Sequence, residues 1–470
     1  MKVAFLFIDT NYSPSAFVGR DRFVETIGIE YLCSIVNSQG YQAKIIYQDG
    51  FSNQGLLKEI LDFNPDIVGF SVFAYNFNYS KKLAELIKIN NPKVSIIFGG
   101  PFPSSNPEIV TDESIDYVVI GEGEDTLCNL IRQIECEKNI NDIKGIACYN
   151  DGVKITLPQP RIKNLDKLPW PVRSPELLKK CRSIAIAYPP PELQKGMAYV
   201  TYSRGCSYAC VYCDSSHTWG EKTVWREASS VVAEMQYLEK NYGINLVGFT
   251  DLTFNVNHKK VYELCGQLIK QKNTTNWLCG CRVDNIDEKL LKAMKDAGCT
   301  RINYGIESIS NSTLSKIGRK NKAEIIKTNL QRTHSLGILI RGYLMIGYPW
   351  ETKDDILTMA RLIKDFAIDD LRITFFTPFP GTPLWKEYKR KGMLLTENFD
   401  YYTTDTPIVK VPGLSSQSLL ALREKIFREF YQSREYEQRM KDKIRKYPHL
   451  KHSYDEFFEF LNSKDVLGKG

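Results

Sequence analysis

Short apolar runs alternate with amphipathic stretches along the first part of the chain. Runs of about four to eight apolar residues bounded by turn residues are typical of buried strands, and apolar residues at a helical period are typical of helices. The runs predict strands at 3–8, 43–47, 66–72, 94–100 and 117–121. The stretches between them predict helices near 24–39, 54–63, 78–90 and 124–135. This alternation predicts an α/β domain over residues 1–140, doubly wound around a parallel sheet.

The alternation stops between residues 141 and 197. The Asn150–Gly152 segment is a turn signal between two short apolar runs and predicts a β-hairpin. Prolines then cluster between Pro169 and Pro191, which is typical of a connection rather than of a sheet or a long helix. We therefore predict a hairpin and a proline-rich linker over this region.

Six further apolar runs follow, and a helical stretch succeeds each of them. They lie at 199–203, 245–250, 276–283, 301–308, 339–347 and 371–379. Six strand–helix units predict a partial (β/α)6 barrel over residues 198–385, in which loops at the carboxyl ends of the strands form the site. Residues 386–470 are charged and predict a helical C-terminal region.

Composition excludes several classes of protein. Hydrophobic residues make up 43% of the chain and charged residues 25%, which are ordinary values for a globular protein. No apolar run approaches the ~20 residues that a membrane-spanning helix needs, and Asp9 comes too early for a secretory signal core. We therefore expect a cytoplasmic protein without a membrane span.

The charge balance argues against a nucleic-acid partner. The net charge is +7, from 62 Lys and Arg against 55 Asp and Glu. Acidic residues interleave with the basic ones between Arg423 and Lys451, a pattern that favours a solvated helix face. A small-molecule substrate is the expected partner.

Three of the twelve cysteines are spaced for ligation. In a reducing compartment cysteines serve metal binding, catalysis or burial, and nine of them are scattered among apolar neighbours, as buried cysteines are. Cys206, Cys210 and Cys213 follow the first barrel strand in a C-x3-C-x2-C pattern that can surround one metal centre. A zinc site normally takes four protein ligands, and His217 is the only nearby fourth candidate. Three thiolates also fit a 4Fe-4S cluster, which then keeps one iron open.

Cys279 and Cys281 alternate onto one face of a predicted strand. They could reach the active site as a methyl acceptor or a proton donor. Packing in the core is the favoured interpretation, because free cysteine is among the most often buried residue types.

The stretch SRGCSYACVYC resembles the signature of the radical S-adenosylmethionine (SAM) superfamily, with Tyr212 just before the third cysteine. The resemblance implies that Cys206, Cys210 and Cys213 hold a 4Fe-4S cluster whose open iron is chelated by SAM. It also implies that an electron, supplied by a donor such as flavodoxin or ferredoxin, cleaves SAM to methionine and a 5′-deoxyadenosyl radical. That radical abstracts hydrogen from an unactivated carbon.

Other segments resemble the SAM-binding stretches of that superfamily. FTDLTF supplies Asp251, near the SAM amino group, and CRVDNID supplies Arg282, whose planar guanidinium would pair with the methionine carboxylate. GIES supplies Glu307, near the ribose hydroxyls, and Tyr212 helps to seat SAM. GYLMIGYP and TPFPGTPL resemble the adenine-side strand and the closing segment. A structural salt bridge is the alternative for each charged residue.

The first domain resembles the Rossmann-like, cobalamin-binding domain of a large branch of radical SAM enzymes, through PDIVGFSV, IIFGGPFP and VVIGEGE. The resemblance implies corrin contacts at Ser71, Gly99, Gly100, Gly121 and Glu122. The usual D-x-H-x-x-G loop is missing, because Asp-Thr-Asn-Tyr stands at 9–12 and no histidine occurs before residue 217. Cobalamin would therefore lack a histidine ligand from this domain. Persistence of the fold without cobalamin binding is the alternative.

Together these features predict a cobalamin-dependent radical SAM methyltransferase acting on an unactivated carbon of a small molecule or natural-product intermediate. The alternative within the same architecture is a rearrangement, cyclisation, dehydration or coupling, with or without cobalamin. A non-catalytic, electron-carrying iron–sulfur protein would leave the barrel and the SAM-like positions unexplained. Methylthio transfer to tRNA is disfavoured, because the first domain offers no second cysteine triad.

Overall fold

The computed structural model describes residues 1–8, 26–47, 53–138, 140, 142–183, 185–220, 222–319 and 322–463. Within these residues the chain forms two successive sheets that are largely or wholly parallel, each covered by helices, and then a group of helices. The α/β class and the order of its parts are those that the sequence predicts.

The first sheet is built from parallel strand–helix units. Its strands are β1 (Lys2–Phe7), β2 (Gln42–Tyr47), β3 (Ile67–Ser71), β4 (Ser95–Gly99), β5 (Tyr117–Val119), β6 (Ile146–Tyr149) and β7 (Val153–Ile155). Its helices are α1 (Ile27–Ser38), α2 (Asn53–Phe63), α3 (Phe77–Asn90), α4 (Pro101–Ser105) and α5 (Gly123–Glu135). The strand order is β2-β1-β3-β4-β5-β6-β7, and β6 and β7 are the antiparallel hairpin.

The strand order of the first sheet reverses direction at β1. Strand β1 pairs with both β2 and β3, so the loops that follow β1 and β3 leave toward opposite faces of the sheet. A crevice opens at the carboxyl ends of the strands at such a reversal, and ligands bind there in open α/β sheets. The predicted loop at 9–12, which follows β1, lies outside the described residues.

The second sheet is the predicted six-stranded partial barrel. Its strands are β8 (Met197–Val200), β11 (Leu246–Phe249), β12 (Asn276–Arg282), β13 (Cys299–Glu307), β14 (Leu339–Ile346) and β15 (Asp370–Phe375), and a small ribbon is formed by β9 (Ser203–Arg204) and β10 (Val224–Trp225). The helices are α6 (Pro175–Lys180) in the linker, then α7 (Ser215–Trp219), α8 (Ala228–Tyr242), α9 (His258–Lys270), α10 (Glu288–Asp296), α11 (Asn311–Lys316), α12 (Ala323–Ser335), α13 (Lys353–Leu362) and α14 (Pro383–Arg390). The six barrel strands are all parallel, in the order β15-β14-β13-β12-β11-β8.

The two faces of the barrel sheet differ in what they contact. Cys279 and Cys281 of β12 are buried in the core with Cys265 of α9. The alternate residues of the strand, Gly280 and Arg282, therefore point to the concave face. The two cysteines belong to the packed helical side, as the sequence favours.

The C-terminal helices pack against the amino ends of β14 and β15. They are α15 (Ser416–Tyr431), α16 (Arg434–Lys446) and α17 (Lys451–Ser463). The buried Lys443 amine lies 2.6 Å from an Asp369 carboxylate oxygen and donates to the carbonyl of Ile338, and the Tyr436 hydroxyl donates to the carbonyl of Asp369. Among the described helices, none is both long and apolar enough to cross a bilayer.

A buried charge network joins the two sheets through the linker. The Arg173 guanidinium lies 3.1 Å from Glu30 of α1 and 2.8 Å from Glu234 of α8, and Arg226 also pairs with Glu234. All four side chains are at most 3% exposed. Because one guanidinium bonds helices from both domains, this network helps to fix how the domains sit together.

Removing Arg173 should be strongly destabilising. Arg173→Ala removes the guanidinium that pairs with the buried Glu30 carboxylate, while Glu234 keeps Arg226, and breaking such a buried pair typically costs about 3–5 kcal/mol. The reconstituted variant should therefore unfold at a clearly lower urea concentration than the wild type. Arg445→Ala is the matched control, because Arg445 is 80% exposed in its ion pair and its loss should cost less than about 1 kcal/mol. Equal shifts in the two variants would contradict this account.

Candidate functional site

The three spaced cysteines lie on the loop between β9 and α7, at the carboxyl end of the first barrel strand. Cys206 is buried, and Cys210 and Cys213 are partly exposed. Gly205 has φ +100°, and any Cβ at that position would overlap the carbonyl of Lys222. Only glycine therefore lets the chain turn into the loop against its neighbouring strand. We call residues 206–213 the cluster loop.

Each thiol has a polar neighbour that can orient it. The Cys206 sulfur lies 3.5 Å from the Thr253 hydroxyl, and the Cys213 sulfur lies 2.8 Å from the Ser215 hydroxyl. The Arg282 guanidinium donates to the Cys210 sulfur at 3.5 Å. Burial raises the pKa of the Cys213 thiol, and the Ser215 contact opposes that shift. A metal centre that binds the thiolate forms would offset this cost.

The three cysteine sulfurs lie farther apart than the sulfur ligands of a single zinc ion do. A zinc ion with bonds of about 2.3 Å brings its sulfur ligands to within about 4 Å of one another. The three sulfurs of the cluster loop do not all lie within 4.8 Å of one another. This wider arrangement suits the larger 4Fe-4S cluster. The side chain of His217, the fourth zinc ligand that the sequence offers, lies outside the described residues.

Arg282 ends β12 directly beneath the cluster loop. Its guanidinium carbon lies 3.9 Å from the centre of the Tyr208 ring, and its Nε and Nη2 donate to the Asp284 carboxylate at 3.0 and 2.6 Å. The side chain is thus held flat between an aromatic ring and an acid, with Nη1 directed at Cys210. A carboxylate group of a ligand at the cluster would meet this guanidinium.

Two of the predicted SAM residues are brought together by a residue that sequence reasoning missed. Arg319 donates to Glu307 at 2.9 Å, to the Tyr212 hydroxyl at 3.1 Å and to the carbonyl of Gly305 at 3.0 Å. Burial raises the pKa of Glu307, and Arg319 opposes that shift. Arg319 lies 107 residues from Tyr212 along the chain, so no local spacing marked it.

A buried hydroxyl near this network has no partner among the described residues. The Tyr348 ring is fully buried, and its hydroxyl is unpaired. Burial, together with the nearby Glu307 and Tyr212, raises the pKa of this hydroxyl. Burying an unpaired hydroxyl costs about 1–3 kcal/mol. A hydrogen-bonding ligand such as the adenosyl part of SAM would satisfy it, so this side of the site fits SAM.

Asp251 is buried beside the residues that lead into the cluster loop. Its two carboxylate oxygens accept from the Tyr202 backbone N–H at 3.0 Å and from the Ser203 hydroxyl at 2.5 Å. Burial raises its pKa to about 6. The carboxylate therefore supports the strand that leads into the cluster loop, and both oxygens are already engaged. A contact with the SAM amino group remains a prediction.

The predicted corrin loops lie at the carboxyl ends of β3, β4 and β5. Ser71 and Gly99 are the last residues of β3 and β4, and the Val72 backbone N–H donates to the carbonyl of Gly99 at 2.8 Å. A Cβ on Gly100 would lie 2.9 Å from the Val72 carbonyl oxygen, so glycine permits this close approach. Gly121 has φ +81° and no atom within 4 Å of its Cβ position, which leaves open space at the crevice.

Glu122 links the first domain to Arg204, which lies just before the cluster loop. Its carboxylate accepts from Arg204 at 3.2 Å and from the Ile162 backbone N–H at 2.8 Å. Arg204, two residues before Cys206, also lies 2.6 Å from Glu124. The described contacts of Glu122 are thus with the protein, and its corrin contact remains a prediction.

Asn76 is a second residue that sequence reasoning missed. Its amide donates to the carbonyls of Ile8 and Ser71 at 3.3 and 3.5 Å, and its oxygen accepts from the Phe73 backbone N–H at 2.8 Å. It is 1% exposed. One side chain therefore ties the ends of β1 and β3 together at the crevice.

A cavity of about 300 Å³ lies where the first domain meets the barrel. Its walls are mostly aromatic and proline side chains from the loops after β3 and β4, from the cluster loop's end and from the segments after β15. They are Phe73, Ala74, Tyr75, Pro101, Phe102, Asp214, Phe379, Pro380, Tyr402, Thr403 and Thr404. A flat, largely apolar ligand suits such walls, and Asp214 directly follows the cluster ligand Cys213. We call this space the interdomain cavity.

No described imidazole reaches the interdomain cavity. The first domain contains no histidine, and the four described histidine side chains contact Asn285, Asp369, Tyr188 and Glu192, respectively, in order along the chain. The residues present therefore fit a corrin held by packing at the loops rather than through a histidine ligand.

The pKa of Glu351 predicts a pH-dependent stability. Burial raises it to about 7, although the carboxylate accepts from the backbone N–H groups of Gly347 and Tyr348. Because the folded pKa exceeds the unfolded value of about 4.3, this group lowers the free energy of unfolding progressively as pH rises through that window. The loss reaches up to about 4 kcal/mol, at 1.36 kcal/mol for each pKa unit.

Glu351→Gln should remove this pH dependence, since the amide does not ionise. The urea midpoints of wild type and variant are measured at pH 5 and pH 8. At pH 8 the midpoint of the variant should equal or exceed that of the wild type. Asp354→Asn, at an exposed neighbouring site, is the control and should track the wild type. Parallel pH profiles for wild type and Glu351→Gln would contradict the shifted pKa.

Comparisons with known proteins agree with this geometry. Residues 200–363 match the family model of the radical SAM superfamily, and residues 20–131 match that of the B12 binding domain. The uncharacterized methyltransferase PH0819 of Pyrococcus horikoshii is 31% identical over 412 residues, covering 86% of this chain and 87% of the relative. The anaerobic magnesium-protoporphyrin IX monomethyl ester cyclase of Rubrivivax gelatinosus is 25% identical over 423 residues, covering 87% and 74%.

Among solved structures, the radical SAM methyltransferase TsrM from Kitasatospora setae, with cobalamin and a 4Fe-4S cluster bound, is similar to this chain. The TM-score is 0.67 at 19% identity, over 84% of this chain and 75% of that one. The likeness shows that the two proteins share a fold.

Proposed function

The chain belongs to the radical SAM superfamily, in the branch whose members carry a B12-binding domain, and from this premise we propose that it methylates an unactivated carbon of a small molecule. Its cofactors are a 4Fe-4S cluster, SAM and cobalamin. One observation carries the proposal: Asp214, which directly follows the cluster loop, and residues of the loops after β3 and β4 border the same interdomain cavity. A substrate there would lie within reach of both SAM and the corrin.

When bound, the cluster supplies the electron that cleaves SAM, and the cobalt carries the methyl group. The chain's own residues position these groups. Cys206, Cys210 and Cys213 would hold three irons, and the Arg282 guanidinium, whose Nε and Nη2 are held by Asp284, would meet the carboxylate of SAM through Nη1. Arg319 keeps Glu307 and Tyr212 at a fixed separation, which would set the position of the ribose.

The walls of the interdomain cavity are largely apolar and would reduce contact between the reacting centre and water. Phe73, Phe102 and Phe379 contribute apolar surface from three separate segments. Dry surroundings matter because a carbon-centred radical must meet its methyl donor before it is quenched by another hydrogen source. A cobalamin bound there would have no imidazole ligand from the first domain, because that domain contains no histidine.

The likeness to the magnesium-protoporphyrin monomethyl ester cyclase favours a second candidate, a radical reaction that transfers no methyl group. The two candidates differ in what happens to SAM. Methyl transfer consumes SAM as a methyl donor and releases S-adenosylhomocysteine, and radical formation releases 5′-deoxyadenosine. A reaction without methylation yields only the second product.

The test is to incubate the reduced, reconstituted enzyme with SAM, with and without cobalamin, and to quantify both products by liquid chromatography. We expect about one S-adenosylhomocysteine for each bound cobalamin in the absence of substrate, and none in cobalamin-free enzyme. Formation of 5′-deoxyadenosine with no cobalamin-dependent S-adenosylhomocysteine would favour the second candidate and reject the first.

A further inference from the structure

The cluster loop has an outer side that faces solvent. Ser207, Ala209 and Val211 alternate with residues directed inward, and all three are exposed, Val211 by 49%. Each lies next to a cluster cysteine along the chain. The protein layer between the thiols and solvent is therefore about one residue thick here.

Lysines flank the outer side of this loop. On one side, a Cβ on Gly318 would lie 3.7 Å from the Ala209 carbonyl and 3.9 Å from the Val211 side chain, so the end of α11 packs against the loop. The exposed Lys316 lies two residues earlier, and its amine is 5.3 Å from the ring centre of Trp350.

The opposite side of the loop is basic as well. The Ser207 hydroxyl lies 3.3 Å from the Thr223 hydroxyl, next to the exposed Lys222. Hydrogen bonds from Thr352 and the nearby charge of Lys316 lower the pKa of Asp355, whose carboxylate caps α13 and keeps its negative charge. Lys222 and Lys316 thus place a positive charge on either side of the apolar centre, with one acid beside Lys316.

We propose that this surface, formed by Ser207, Ala209, Val211, Lys222 and Lys316 and called the loop face, docks a small acidic one-electron carrier protein of the flavodoxin or ferredoxin class. The proposal rests on the proposed function, because it requires a cluster at the three cysteines. An apolar centre within a charged rim is typical of transient protein interfaces, and opposite charge steers the encounter. An acidic surface on the carrier complements the two lysines.

The electron balance at the loop face is simple. The reduced carrier loses one electron and the cluster on the other side of the loop gains it, so no proton or leaving group is required. Because the loop is one residue thick, a carrier docked there would come close to the thiolates without entering the interdomain cavity. Substrate and carrier would therefore use separate surfaces.

The experiment compares two reductants on the full-length holoenzyme. The double variant Lys222→Glu/Lys316→Glu reverses the charge of the loop face, and the control Lys289→Glu/Lys292→Glu makes the same change on exposed positions of α10. Formation of 5′-deoxyadenosine is measured with reduced flavodoxin at several concentrations, and separately with dithionite. We expect the KM for flavodoxin to rise about 10-fold or more at low salt in the loop-face variant.

The dithionite rate of the loop-face variant should stay within about twofold of wild type, because a small reductant needs no docking surface. The control variant should match wild type with both reductants. An unchanged KM for flavodoxin would overturn the proposal, and so would equal losses with both reductants, since the lysines would then serve the cluster itself. Absence of dithionite-driven cleavage in the wild type would instead reject the proposed function.

Discussion

Cys210→Ala should abolish SAM cleavage. The variant loses one of three proposed cluster ligands, together with the sulfur that accepts from Arg282. We expect reconstituted iron to fall well below four per chain and 5′-deoxyadenosine formation to fall by more than about 100-fold. That loss exceeds the 10- to 100-fold effect typical of residues that act behind a metal ligand. Iron analysis and product chromatography measure the two effects.

Cys136→Ala is the matched control for this variant, because Cys136 is an exposed cysteine of the first domain. It should retain full iron and full SAM cleavage. A Cys210→Ala enzyme that keeps four irons per chain would show that the cluster is held elsewhere. A loss in both variants would point to general damage by cysteine removal.

Gly121→Trp should separate corrin binding from the cluster. The indole would occupy the open space beside Gly121 at the carboxyl end of β5, where a corrin loop is proposed. We expect bound cobalamin per chain to fall at least about 10-fold. A steric overlap between the indole and the corrin that costs about 1.4 kcal/mol of binding free energy is enough for that factor. Iron content and 5′-deoxyadenosine formation should persist, since the cluster loop is a separate segment.

A backbone effect must be separated from the steric one in this variant. Gly121 has φ +81°, where a side chain is strained by about 1–2 kcal/mol. Gly152→Trp also places a side chain at positive φ, +129° in the hairpin turn, again with no atom within 4 Å of the Cβ position. The Gly152 variant should bind cobalamin as the wild type does. Equal cobalamin binding in all three proteins would contradict the placement of the corrin.

The sequence predicts the two sheets well because their physical signal is local. Strands buried on both faces, such as β3 and β4, are nearly continuous apolar runs, and a parallel strand requires a covering helix between it and the next. The cysteine triad is equally local, since all three residues lie within eight positions. The alternation of Cys279 and Cys281 likewise follows from the two-residue period of a strand.

The contacts that shape the site are long-range, and the sequence did not reveal them. Arg319 meets Tyr212 from 107 positions away, and Glu122 meets Arg204 from 82 positions away. Each is a charged residue whose neighbours in the chain give no periodic signal. Asp251 is a further long-range case, because its two oxygens accept from the Tyr202 backbone N–H and the Ser203 hydroxyl, 49 and 48 positions away.

The proposed reaction is methyl transfer to carbon at a cavity bordered by Asp214, which follows the cluster loop, and by the loops after β3 and β4. The most direct measurement incubates the reduced holoenzyme with methyl-deuterated SAM and a small-molecule extract, and searches for new products by mass spectrometry. We expect a cobalamin-dependent product in which a CD₃ group replaces one hydrogen, together with equal amounts of 5′-deoxyadenosine and S-adenosylhomocysteine. A cobalamin-dependent product that forms with 5′-deoxyadenosine but carries no deuterated methyl group would contradict it.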